Sequence, residues 1–415
     1  MRKLVLILAC LSLLLTGCWD YQEVDRLAPV IAIGLDRIPG SKNLLLTVQI
    51  ASPEGKGGSQ QIGGQGGGEG AYTVMNCEGK SLSEAIRNLA AQSPRRILLS
   101  HCKLIVLGKE FAETGIGAIP DDLKRDREIR RTDWILTTDK TAKEILEQDI
   151  ALESVPARGL DMLLQNYIMS GRVLPMDCND FFVHLNGDAQ VSYTPLVQLK
   201  DIDKQVTGQL EKAVSRPLDT EEKSKSLTVG RTAVFKNLRM VGMLNKEDTR
   251  AQKWLVDSPK GSSISFTYVP QAQINGLKGE IFLDIRAGKT TITPHISEDG
   301  ITMNIAVTAK ALLHELGTTD ANVLDPKVVE QLQVQAAETM KLQLGHIINT
   351  AQKELKSDCI GFAENLHNYY PVEWKQIKNN WGDIFPTVDC QITCEVEILS
   401  SGPITEPTPQ SESEE

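Results

Sequence analysis

A chain of 415 residues is long enough for two or three domains with separate cores, and its 41% hydrophobic and 24% charged residues place it among globular proteins. Its 44 basic and 54 acidic residues give a net charge of -10, which argues against a nucleic-acid binder and against attraction to anionic lipid headgroups. Eight scattered cysteines are too few for a disulfide scaffold at this length.

The chain opens with Arg2 and Lys3 and an apolar run from Leu4 to Leu15, too short to span a bilayer and flanked like a secretory signal. Thr16-Gly17 directly before Cys18 resembles the bacterial lipobox, so residues 1–17 read as a leader and Cys18 as the lipidated first residue of an exported protein. Acyl chains contribute roughly 0.8 kcal/mol per buried CH2, so two or three of them hold a soluble body on a membrane. Loss of Arg2 and Lys3 with the leader moves the net charge from -10 to -12. Loss of Cys10 and acylation of Cys18 leave Cys77, Cys102, Cys178, Cys359, Cys390 and Cys394, which read mostly as buried thiols. Cys390 and Cys394 lie about 13 Å apart on a strand at roughly 3.3 Å per residue, too far to bridge each other.

Val30 to Asp36 and Leu44 to Ile50 read as two strands joined at Pro39-Gly40. Residues 52–70 hold nine glycines and almost nothing apolar, the composition of a flexible loop. Thr73 to Cys77 reads as a strand, and Ser81 with Glu84 as a capping box opening a helix with Leu82, Ala85, Ile86 and Leu89 on one face. Ile97 to Leu107 reads as one buried strand, Lys109 to Ala112 as the start of a helix, Trp134 to Thr138 as a strand, and Thr141 to Leu146 and Leu160 to Met169 as helices. Residues 201–226 turn polar and read as a linker or excursion between an amino-terminal region, 18–200, and a carboxy-terminal one, 227–400.

Val229 to Phe235 and Leu238 to Leu244 read as a hairpin and Thr249 to Val256 as a short helix. Ser263 to Val269, Glu280 to Ala287, Thr290 to Ser297 and Ile301 to Leu313 follow as strands of a mostly antiparallel sheet. Val329, Leu332, Ala336, Met340, Leu344, Ile347, Ala351 and Leu355 make an apolar stripe about seven turns long, which predicts a helix lying on a sheet face. Val388, Cys390, Ile392, Cys394, Val396 and Ile398 alternate with polar residues, a strand with one buried face. Residues 401–415 are rich in Pro, Ser and Glu and read as a disordered tail. The fold class is α+β with several domains and helices packed on the sheets.

Catalytic motifs fail on spacing. Gly79-Lys80-Ser81 resembles the end of a phosphate loop, but Val74 stands where its first glycine is needed. His314-Glu315 lacks the second histidine of a zinc protease, since position 318 is Thr318. His101 and Cys102, as neighbours on a strand, point to opposite faces. No metal, cofactor or catalytic set emerges, so the chain reads as a non-enzyme. Arg125, Arg127, Arg130 and Arg131, set among Asp121, Asp122, Asp126 and Glu128, read either as a solvated helix laced with ion pairs or as a docking patch for an acidic partner. Tyr370, Trp374 and Trp381 read either as a partner-facing surface or as aromatics clamping the long helix to the sheet.

Several stretches stand out together in chain order. They are Gly17-Cys18-Trp19-Asp20 with Glu23, Gly34-Leu35-Asp36, Glu78 to Leu82 with Ala85-Ile86-Arg87, and Pro94-Arg95-Arg96 with His101 and Lys103. Ala233 to Lys236 with Val241 to Leu244 follow, then Asp358, Gly361-Phe362, Leu366-His367, Tyr370-Pro371, Glu373-Trp374, Trp381 and Ile384 to Pro386. Together they resemble the Ger(x)C lipoproteins, the C subunits of spore nutrient germinant receptors. The resemblance implies three small α+β domains, a lipid anchor on the outer surface of the spore inner membrane, and assembly with multi-pass A and B subunits that trigger germination. It places the nutrient ligand mainly on those subunits. The rival reading is a solute-binding lipoprotein of a membrane transporter, which would have two similar α/β lobes around a cleft.

Overall fold

The computed structural model describes residues 23–52, 71–117, 119–148, 153–166, 171, 173–201, 225–268, 279–316 and 325–400. The leader, Cys18, most of the glycine-rich loop, nearly all of the 201–226 segment and the tail lie outside them.

Strands β1 (Leu27–Arg37) and β2 (Leu44–Ala51) form the expected hairpin, and β3 (Tyr72–Gly79) pairs with β2. Helix α1 (Leu82–Gln92) starts at Ser81, whose side chain accepts from the Glu84 N–H; Glu84 reaches back to the Lys80 N–H at 2.8 Å. The run expected as one strand from Ile97 to Leu107 is broken. It is β4 (Arg96–Leu98), a 3-10 turn (Leu99–His101) and β5 (Leu104–Leu107), because Glu128 takes the Leu99 N–H that a ladder would have used. His101 is therefore exposed on a turn and Cys102 buried beneath it.

Helices α2 (Lys109–Thr114) and α3 (Ile119–Arg125) cross to β6 (Trp134–Thr138). Helices α4 (Ala142–Leu146), α5 (Pro156–Gln165) and α6 (Cys178–Asn186) then carry the chain to β7 (Val191–Asp201). Helical crossovers of this length permit parallel pairing, and β1, β5, β6 and β7 are indeed parallel in that order. The pairing is therefore more mixed than the antiparallel expectation. Next, β8 (Lys225–Lys236) and β9 (Arg239–Leu244) meet at Asn237 and Leu238, both with positive φ, the two-residue turn that matches strand twist. The first sheet runs β3-β2-β1-β5-β6-β7-β8-β9, with β4 also on β1. Strands β7 and β8 are one antiparallel pair, with Asp201 facing Lys225.

Helix α7 (Lys246–Val256) leads into the second sheet, β10 (Ser263–Tyr268), β11 (Gly279–Ser297), β12 (Gly300–Leu316) and β13 (Asp389–Ser400), in that order. The two strands expected at Glu280–Ala287 and Thr290–Ser297 are one, bent by a register shift at Ile285/Ala287. Helix α8 (Pro326–Asn349) continues as a π turn (Thr350–Glu354) and lays Leu332, Ala336, Met340, Leu344 and Ile347 on this sheet. Helices α9 (Phe362–Tyr369), α10 (Pro371–Ile377) and α11 (Trp381–Ile384) close its end. The resemblance implies three domains; the described strands form two sheets, because β7, β8 and β9 extend the first one. Val191, Val234 and Leu244 of those strands join the core of the second sheet, so the two halves share apolar packing.

Gly79 allows α1 to approach β3, since a Cβ there would collide with the Ala85 backbone. Gly79→Ala is expected to cost about 1–3 kcal/mol through forced backbone shifts. Urea denaturation checks this, and an unchanged midpoint contradicts the packing argument.

Candidate functional site

Two places gather the chemistry-bearing residues that the sequence singles out. The first is the aromatic end of the carboxy-terminal half. After the π turn the chain reverses at Asp358, whose buried carboxylate accepts the Phe362 and Ala363 N–H groups at 3.0 and 2.6 Å. It also accepts Trp381 Nε1–H at 3.0 Å. Helix α9 begins at Gly361, which has φ +82 and offers no side-chain cap, so Asp358 supplies the acceptor. Burial pushes the Asp358 carboxyl up, opposed by these donors. Trp381 and Trp374 make a T-shaped contact at 5.2 Å, and His367 stacks on Trp374 at 6.2 Å.

Trp374 and Trp381 are 2% and 3% exposed, which of the two readings favours aromatics clamped within the chain over a partner-facing surface. Their rings are enclosed by the chain's own aromatics, and their N–H groups are spent on carboxylates. Trp374 Nε1–H donates to Asp188 at 2.9 Å, from the loop before β7, and Lys378 Nζ bonds the other oxygen of Asp188 at 2.9 Å. Lys378 first, then Trp374, hold the Asp188 carboxyl below its ordinary value. The segment is thus a seam between the halves, helped by Lys236 Nζ on the Lys356 carbonyl at 2.6 Å and by Gly171 against Gly261-Ser262. Tyr370 is half-buried, while Tyr369 and Val372 are exposed.

The second place is the turn after α3. Arg125 pairs with Asp121 at 2.7 Å, as the solvated-helix reading expects. Beyond it the helix ends, and the carboxylates turn inward. Asp126 accepts the Glu128 N–H at 2.8 Å, Glu128 accepts the Leu99 N–H at 2.9 Å, and Asp133 accepts the Arg130 N–H at 3.1 Å. Arg127, Arg130 and Arg131 remain exposed. Burial pushes the Asp133 carboxyl up to about 6, against the Arg130 N–H, Arg130 and Lys103.

No group of three or more His, Cys, Asp or Glu among the described residues could hold a metal ion. The six described cysteines are free. Burial pushes Cys102, Cys178 and Cys359 up, and Cys390 and Cys394 to about 12 and 11, so none of these five is a ready thiolate. No described helix is long and apolar enough to cross a membrane.

A profile of the spore germination protein N-terminal domain matches residues 20–199, and one of the spore germination B3/GerAC-like C-terminal domain matches residues 230–402. The chain belongs to the Ger(x)C family of spore germination proteins. It is 25% identical to spore germination protein KC of Bacillus subtilis (strain 168) over 406 residues, covering 97% of this chain and 96% of that protein. It is 25% identical to spore germination protein YndF of the same organism over 423 residues, covering 96% of each. The crystal structure of the GerBC protein aligns with a TM-score of 0.54 and 16% identity, covering 88% of this chain and 96% of that one, a likeness of fold.

Several described residues of the stretches that carry the Ger(x)C resemblance serve this architecture. Asp36 accepts the Ala142 and Lys143 N–H groups that open α4, at 2.8 and 3.0 Å, and Gly108 leaves room for its carboxylate. Sequence reasoning missed Asp188, because no motif surrounds it and its partners lie 186 and 190 residues away.

Trp374→Ala is expected to lose about 3–5 kcal/mol as a buried aromatic truncation. Chemical denaturation of the purified protein measures it, and a loss below about 1 kcal/mol contradicts the seam. Asp133 carries a pH signature. Its folded value of about 6 lies above the ordinary 3.8, so its favourable contribution is present at low pH and is lost as pH rises through about 6. Melting temperatures of the wild type and Asp133→Asn should therefore diverge against the wild type across that interval; a constant difference contradicts the assignment.

Proposed function

We propose that this chain is the lipid-anchored, non-catalytic C subunit of a spore nutrient germinant receptor. The observation that carries the reading is the pair of Ger(x)C profile matches spanning 20–199 and 230–402 in one chain, in the order and length of its relatives. Its site of work is the outer surface of the spore inner membrane. Cys18 carries the acyl chains there, and regions 18–200 and 227–400 form the extracytoplasmic body. Multi-pass A and B subunits complete the receptor, hold the nutrient ligand and pass its arrival on as the germination trigger.

The physical logic is tethering. Subunits confined to one bilayer meet at high effective concentration, so modest polar interfaces suffice for assembly. Against a solute-binding lipoprotein, the described halves are dissimilar, one holding a nine-stranded sheet and the other a four-stranded one.

Replacement of the anchor tests the reading. In dormant spores Cys18→Ala is expected to leave a folded protein in the soluble fraction and to impair nutrient-triggered germination. A variant that still fractionates with membranes and supports germination contradicts it.

A further inference from the structure

Beside the turn after α3 lies a small cavity of about 40 Å3. Its apolar wall is Leu123, Ile129, Phe182 and Val183, and its rim is Lys124, Arg130 and Arg131. Val183 is 57% exposed on α6, which leaves its aliphatic surface open at the edge of this cavity. Lys124 Nζ lies over the Phe182 ring at 5.6 Å, which holds one cation above the apolar wall. Room for the end of one aliphatic side chain is present, but not for a metabolite.

Charge is arranged around it with a bias that composition hides. Residues 119–133 hold five cations and five carboxylates, and would be neutral if all were equally available. They are not. Asp126, Glu128 and Asp133 are spent on backbone N–H groups, Asp121 on Arg125, and Asp122 lies beside that pair. From α6, Asp177 caps its own helix by accepting the Asp180 N–H at 2.8 Å, and Asp180 accepts from Asn179. Lys124, Arg127, Arg130 and Arg131 make no ion pair with a described residue and face outward. The outcome is a cationic rim around an apolar dent on a body of net charge -10.

We infer that this dent is a docking site for an acidic protein segment, an aliphatic side chain entering between Leu123 and Val183 while flanking carboxylates meet Lys124, Arg130 and Arg131. The inference rests on the receptor-subunit reading for the identity of the donor, an extracytoplasmic segment of a membrane-embedded partner. Charge complementarity selects the acidic segment, since planar guanidiniums bind carboxylates in a bidentate manner. An anionic lipid surface is disfavoured, because the acidic body as a whole is repelled from it. Arginines beside an apolar anchor are residue types enriched in interface hot spots.

The test uses the full-length, membrane-extracted protein. Lys124→Glu, Arg130→Glu and Arg131→Glu are combined in one variant, and separately a photo-crosslinking phenylalanine analogue replaces Val183 in spores. The expected result is a triple variant that still folds and melts cooperatively, with a loss of partner recovery of about tenfold or more. The adduct at position 183 should map to a protein segment containing Asp or Glu. Recovery by the wild type should also weaken as salt shortens the screening length from about 10 Å at 0.1 M to about 3 Å at 1 M. Unchanged recovery by the triple variant, or an adduct only with lipid, overturns the inference. An acidic-segment adduct on a protein other than a receptor subunit leaves the docking chemistry standing and removes the receptor reading instead.

Discussion

A buried carboxylate governs the carboxy-terminal half. Asp358 sits where the long helix ends, and its two oxygens satisfy three donors, two at the opening of α9 and one on Trp381. Without an acceptor at that point those N–H groups would be buried unpaired, at about 1–3 kcal/mol each. With it, Trp381 is fixed beneath Trp374, and Trp374 can reach Asp188 in the other half. One local reversal thereby positions the seam.

The seam accounts for aromatic and acidic residues that carry the Ger(x)C resemblance. Asp36, Asp358, Trp374 and Trp381 are buried, and their polar atoms are paired within the chain. Such residues keep two dissimilar sheets in one relative position, which a subunit needs if a partner is to read its surface. Available chemistry is left to exposed groups, and the cationic rim beside α3 is where charge and apolar area coincide.

Local signals in the sequence were reliable wherever the physics was local. The cap at Ser81, the helix from Thr141, the stripe of α8 and the alternation of β13 are set by neighbours within a few residues. The break at Leu99 was hidden because its cause, Glu128, lies 29 residues on. Parallel order in the first sheet was hidden for the same reason. The tryptophans could not be placed by composition, since an indole in a polar stretch suits either a surface or a core. Asp188 and Asp358 decided the matter, and only the first is remote. At the second site the arginines were visible, but their availability was not, because it depends on which carboxylates the backbone consumes.

The account stands or falls on what the intact protein keeps company with in its membrane. Affinity purification of the full-length chain, extracted from dormant spore membranes and followed by identification of what co-purifies, measures this directly. The receptor-subunit account predicts two multi-pass proteins, one of them transporter-like. Recovery with an ATP-driven importer, or alone with a bound small molecule, would contradict it and make the chain a ligand-capturing lipoprotein.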